Sequence, residues 1–106
     1  MMVGGYSSVS LPDDGVTKAA TFAMSDFYSS PHGRAYGAPS TLSDTVLRAE
    51  RQVVAGMNYK MHLVLKDKES GQCVAVHDVV VYDRFGTLKV TQREFLPCSE
   101  WMHETR

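Results

Sequence analysis

An alternating run, MNYKMHLVLKDK at residues 57–68, constrains the fold more than any other feature of the chain. Its apolar side chains recur at every second position: Tyr59, Met61, Leu63 and Leu65. Successive side chains of a β-strand point to opposite faces of the sheet, so this period indicates one buried and one solvated face. The run therefore predicts a strand of an antiparallel sheet whose apolar face must be covered by another element.

Three more segments around this run predict strands. Residues 42–54 precede it, and residues 73–84 and 87–98 follow it. A small tip, Ala55-Gly56, and two short turns that contain glycine separate the segments. Apolar runs joined in this way are typical of β-hairpins, so we expect about four long antiparallel strands.

One segment before the strands has helical periodicity. Between about residues 13 and 29, apolar side chains recur at helical spacing: Val16, Ala19, Ala20, Ala23 and Phe27. Pro12 and the two aspartates after it suit the first turn of a helix, whereas Gly15 weakens the prediction slightly. Residues 29–41 contain two prolines and two glycines and are predicted to form a loop.

These elements predict an α+β fold, in which one α-helix packs across a four- to five-stranded antiparallel β-sheet. A chain of 106 residues is long enough for one small domain. We therefore expect a single domain spanning residues 1–106, with residues 1–9 a partly flexible N-terminal arm.

Charge and motif content exclude several classes of function. The net charge is -1 and no Lys/Arg block stands out, which argues against a nucleic acid or an anionic membrane as the partner. No apolar run approaches the roughly 18 residues that a membrane span requires. The four histidines lack metal-ligand spacing, and no acid/base constellation or cofactor motif occurs. We expect no enzyme activity, no metal and no cofactor.

The register of the last hairpin bears on whether the two cysteines can form a disulfide. If Phe85 and Gly86 are its central residues, opposed residues have numbers that sum to 171, as those of Cys73 and Cys98 do. Such a pair brings its Cα atoms to roughly 5.5 Å or less, which is within disulfide range. A disulfide there would add a few kcal/mol of stability. A one-residue bulge would break the register and leave two unpaired thiols instead.

The first hairpin tip has an unusual composition. QVVAG, residues 52–56, places two valines and an alanine where water is the usual neighbour. Together with Gly4-Gly5 ahead of the helix, the NYK after the tip, the aromatic second tip at Phe85 and the two cysteines, this segment resembles the cystatin family. The resemblance spans nearly the whole chain, in the order that the family shows.

The resemblance implies a fold and a function. It implies a cystatin-like sheet and helix, and reversible, tight-binding inhibition of papain-like cysteine proteases such as papain and cathepsins of the L and B types. Three segments would form a wedge for the active-site cleft of the protease. Its residues would be Gly4, Gly5, Gln52, Val53, Val54, Ala55, Gly56, Arg84, Phe85 and Gly86.

The resemblance also raises alternatives. The secreted branch of the family usually has two disulfides and a Pro-Trp second tip, whereas this chain allows only Cys73–Cys98 and has Arg84-Phe85 at the tip. Phe85 would then either insert into the protease or pack on its own sheet, and the runner-up function is a binding or structural module without inhibition.

Two further expectations follow from the branch. A paired Cys73 and Cys98 favours a secreted protein whose signal peptide is absent from this chain, and unpaired thiols favour the cytoplasm. The active form would be a monomer. Exchange of the helix and its neighbouring strand between two copies would give a dimer that hides the QVVAG tip.

Overall fold

Five antiparallel strands follow one another across a single sheet in chain order, β1-β2-β3-β4-β5. The computed structural model describes residues 5–99. The elements are β1 (Ser7–Val9), α1 (Asp14–Ser29), α2 (Pro31–Arg34), β2 (Leu42–Val54), β3 (Gly56–Asp67), β4 (Cys73–Arg84) and β5 (Thr87–Leu96). The predicted fold class is confirmed, since α1 packs against one face of this sheet. Neither helix between residues 5 and 99 is long and apolar enough to cross a membrane.

The predicted helix is confirmed almost to the residue. Asp13 is the N-cap, and its carboxylate accepts a hydrogen bond from the backbone N–H of Val16 at 3.0 Å. Such a cap satisfies one of the free donors of the first turn and contributes about 1 kcal/mol. The helix ends at Ser29, and a second, shorter helix begins at Pro31.

The core lies between α1 and the sheet. One stripe of α1 is buried: Val16, Ala19, Ala20, Ala23, Met24 and Phe27. The residues of the alternating run that were predicted to face inward, from Tyr59 to Leu65, are buried against this stripe. A methyl group on Gly15 would overlap the Tyr59 ring, so this glycine, a weak helix former, lets α1 approach the sheet closely.

Two short elements were not predicted. Within the expected loop 29–41, Ser30 caps the four-residue helix α2 by accepting a hydrogen bond from the N–H of Gly33 at 2.9 Å. Pro31 occupies the first turn, where its missing N–H has no cost. In the arm, Ser7–Val9 pair with β2 as the edge strand β1. The extent of the domain stays a prediction, because the structure describes only part of the chain.

The predicted register of the last hairpin holds near its tip and shifts further out. Arg84 pairs with Thr87 as expected, but Thr91 is an extra residue on β5, so Val80 pairs with Gln92. The bulge does not separate the cysteines, because β5 ends at Leu96 and the chain leaves the ladder before Cys98. Cys73 and Cys98 form a disulfide with their Cα atoms 5.9 Å apart.

Candidate functional site

The first hairpin tip is exposed at one end of the sheet. Val53 is 63% exposed, Ala55 is exposed and Val54 is half-buried. Neither valine belongs to the core beneath α1. Behind the tip, the Asn58 side-chain amide donates a hydrogen bond of 3.1 Å to the side-chain oxygen Oε1 of Gln52. The ends of β2 and β3 are therefore joined by a side-chain hydrogen bond, while the apolar residues at the tip between them face solvent.

Position 56 requires a glycine for a reason that involves both hairpins. Its φ is +116°, in the region that favours glycine, and a Cβ there would lie within 3 Å of the backbone oxygen of Asp83 on β4. The first tip thus packs directly on the backbone of the second hairpin. The hydroxyl group of Tyr82 also donates a hydrogen bond to the carbonyl oxygen of Ala55. These contacts make the two tips one surface.

The second tip presents an aromatic ring to solvent. Phe85 is 85% exposed, which overturns the alternative that it packs on its own sheet. Phe85 and Gly86 both have positive φ, 51° and 99°, so they form the two-residue turn that usually contains Asn-Gly. The Asp83 carboxylate accepts a hydrogen bond of 2.8 Å from the N–H of Gly86 and closes the turn.

An open apolar groove runs between the tips. It is lined by Val53, Val54, Gly56, Met57, Asp83, Phe85 and Gly86. Met57 and Asp83 were not predicted as site residues, although their position could be found from the sequence because each lies next to a predicted tip. Beneath the tips, burial first and then the carboxylates of Asp13 and Asp83 raise the pKa of Tyr59, and Arg51 opposes this rise.

The N-terminal arm approaches the first tip from the side. Ser7 pairs with Arg51 on β2, so β1 begins opposite a residue two positions before Val53. Gly5 is exposed, and a Cβ there would meet no atom within 4 Å. Gly4 lies outside the described residues. The structure therefore brings the tips Gln52–Gly56 and Arg84–Gly86 together at one end of the molecule, and Gly5 lies two residues before the strand that pairs with β2.

Among residues 5–99, no group of three or more histidines, cysteines, aspartates or glutamates is arranged to hold a metal ion. The histidine whose pKa is strongly shifted lies away from the tips. Buried between α1 and the sheet, His77 has a pKa lowered to about 4 by desolvation first and by Arg93 second. The tips offer apolar contact area and backbone groups.

Comparison with known proteins identifies the fold and the family. The cystatin domain family matches residues 4–83, from the arm glycines to the last hairpin. No curated protein sequence matches the chain significantly.

Solved structures give the same answer for the fold. A salivary cystatin from the soft tick Ornithodoros moubata superposes with a TM-score of 0.65 at 24% identity, covering 89% of this chain and 98% of its own. A secreted type 1 cystatin from Fasciola hepatica gives 0.62 at 22% identity, covering 91% and 99%. Mialostatin, a gut cystatin from the hard tick Ixodes ricinus, gives 0.59 at 18% identity, covering 87% and 97%. With the family match over most of its length, the chain belongs to the cystatin family, a family of cysteine protease inhibitors.

Proposed function

We propose that this chain is a reversible, tight-binding inhibitor of papain-like cysteine proteases, including papain and cathepsins of the L and B types. One observation carries the proposal: Val53 and Phe85 are 63% and 85% exposed at neighbouring hairpin tips. The backbones of these two hairpins are in direct contact at Gly56. When a complementary cleft removes these apolar side chains from water, the free energy of the complex is lowered.

The mechanism is obstruction without chemistry. The two tips and the arm at Gly4-Gly5 would enter the cleft of the protease and cover its catalytic cysteine, with no peptide bond of the inhibitor in position for attack. Gly56 and Tyr82 already fix the first tip against the second hairpin, so little conformational entropy is lost on docking. The chain itself is expected to have no turnover.

A titration of papain and of a cathepsin L-type protease tests the proposal. Inhibition should be stoichiometric and reversible, with the inhibitor recovered uncleaved. A chain that folds but leaves both proteases fully active would instead be the binding or structural module without inhibition. Release of a cleaved product from the chain would contradict the obstruction mechanism.

Replacement of Gly5 by tryptophan should raise the inhibition constant for papain at least about tenfold, or about 1.4 kcal/mol. The fold has room for the new side chain, since a Cβ on Gly5 meets no atom within 4 Å. The loss would therefore come from the complex, where the arm must bend away from the nucleophile. An inhibition constant equal to that of the parent chain would exclude the arm from the wedge.

Replacement of Phe85 by asparagine should raise the stability of the fold and weaken inhibition. Asn tolerates a φ of 51° better than Phe, so the free energy of unfolding in urea should rise by roughly 0.5–1 kcal/mol. The inhibition constant should nevertheless rise about tenfold, because an aromatic contact is lost. A variant that is stabilised and inhibits as well as the parent would remove Phe85 from the protease contact.

We also propose that the protein is secreted. The Cys73–Cys98 disulfide supports this, because such bonds persist in oxidising compartments. One structural neighbour is described as secreted and another as salivary, which agrees with the proposal. The unswapped chain is the inhibitory form, since a dimer formed by opening the QVVAG hairpin would hide its tip.

A further inference from the structure

The strand β5 is a free edge of the sheet. It spans Thr87–Leu96 and pairs on one side with β4, while no described strand lies on its other side. Half of its backbone N–H and C=O groups therefore point away from the sheet, available to another strand. At ten residues, β5 is also much longer than β1, the three-residue strand at the opposite edge.

The bulge at Thr91 determines which registers can pair this edge with a copy of itself. Before the bulge, Leu88 and Val90 pack toward the core beneath α1, and after it Arg93 and Phe95 face the same side. Side chains on one face thus have even numbers on one side of the bulge and odd numbers on the other. In an antiparallel dimer, opposed residues must lie on the same face. A residue before the bulge and a residue after it meet this condition when their numbers have an odd sum.

One such sum, 183, matches charge on the outer face. It places Lys89 opposite the partner's Glu94, twice by symmetry. Both side chains are exposed, and neither has an ion pair within residues 5–99. Glu94 also lies opposite Asp78 in its own sheet, and directly opposed like charges are unfavourable. A lysine on its other side would offset that repulsion.

On the inner face, the same register places Val90 opposite the partner's Arg93, whose guanidinium is already bonded beneath α1, and forms one apolar pair. It places Leu88 opposite the partner's Phe95, which is 40% exposed in the single chain. Cross-strand apolar and aromatic pairs of this kind stabilise antiparallel ladders. The neighbouring odd sums, 181 and 185, would instead place Lys89 opposite the partner's Gln92 or Leu96. The sum 183 is therefore distinguished by its charge pairing on the outer face.

We propose that β5 is a homodimerisation edge, on which two copies pair antiparallel with Lys89 opposite the partner's Glu94 and form one continuous ten-stranded sheet. This goes beyond the proposed inhibition and differs from exchange of the helix. Each chain keeps its own α1 and its own QVVAG tip. Because the two β5 strands run in opposite directions, the wedges lie at opposite ends of the dimer and both remain open to a protease.

Sedimentation velocity over a range of protein concentrations, at low and high salt, tests this pairing. The parent chain should show a reversible monomer–dimer equilibrium that weakens with salt. Lys89→Glu and Glu94→Lys should each raise the dimer dissociation constant at least about thirtyfold, because two symmetric attractions become two repulsions. The double variant carrying both changes should restore dimerisation, since each pair is then attractive again in the reversed sense.

Each outcome of the experiment decides the proposal. A parent chain that is monomeric at every concentration overturns it. A dimer that persists in both single variants also overturns it, because another surface or an exchanged helix must then hold the copies together. Loss in the single variants with recovery in the double variant supports it, and papain titration of the dimer should then find one functional wedge per chain. Failure of inhibition alone would leave the dimerisation result standing.

Discussion

Replacement of Val53 by aspartate should raise the inhibition constant for papain at least about a hundredfold while the free energy of unfolding changes by less than about 0.5 kcal/mol. Val53 is 63% exposed and lies outside the core, so the fold loses little when its side chain becomes charged. In the proposed complex this position is covered by the protease. Removal of an unpaired carboxylate from water there costs at least about 3 kcal/mol.

Thr45→Asp is the matched control for this experiment. Thr45 is an exposed residue of the same strand, β2, near the end remote from the tip. The same charge added there should leave inhibition unchanged, which separates a local effect at the tip from a general effect of net charge. The proposed site would be wrong if Val53→Asp, still folded by thermal unfolding, inhibited papain as tightly as the Thr45→Asp control.

The elements of the fold could be predicted because their local patterns are unbroken. The period of two from Tyr59 to Leu65 fixed the inner face of β3, and the acidic N-cap at Asp13 fixed the start of α1. The exposure of Val53 could be predicted from the apolar composition of the first tip, whereas for Phe85 the sequence left open whether the ring enters a partner or packs on its own sheet.

Bulges explain what could not be predicted. Nothing local marks Thr91 as the extra residue of β5, and a single inserted residue reverses the facing of every residue after it. Arg93 therefore points under α1, where an unbroken alternation counted from Thr87 would not place it. The contact between Gly56 and Asp83 was missed for a related reason, since it joins two hairpins that only the tertiary fold brings together.

The inward turn of Arg93 creates a charged cluster in the core. Its guanidinium donates to Nδ1 of His77 at 2.9 Å and to the backbone oxygen of Ala23 on α1 at 2.8 Å, and it lies 3.5 Å from the carboxylate of Asp26. His77 is fully buried and stacks on Phe95. The cluster joins β4, β5 and α1, and it requires His77 to be neutral because Nδ1 accepts a hydrogen bond.

Acid should therefore weaken the fold through His77. Burial and the positive charge of Arg93 lower the pKa of His77 to about 4, with a smaller lowering from His62 and an opposing effect of Asp78. In the unfolded chain the pKa of histidine is about 6.5. The unfolded state binds the proton first, so the contribution of His77 is complete above about pH 6.5 and declines as pH falls toward 4. The two values correspond to about 3 kcal/mol.

Chemical unfolding of the parent chain and of His77→Gln at pH 7 and pH 4 measures this contribution. Glutamine can still accept a hydrogen bond from Arg93 but does not titrate. Between the two pH values the parent should lose about 3 kcal/mol more of its free energy of unfolding than the variant, because the carboxylates common to both cancel. Equal losses would contradict the assignment. So would an NMR titration of the parent that finds the pKa of His77 near 6.5, because a histidine that protonates equally well in both states cannot link folding to pH.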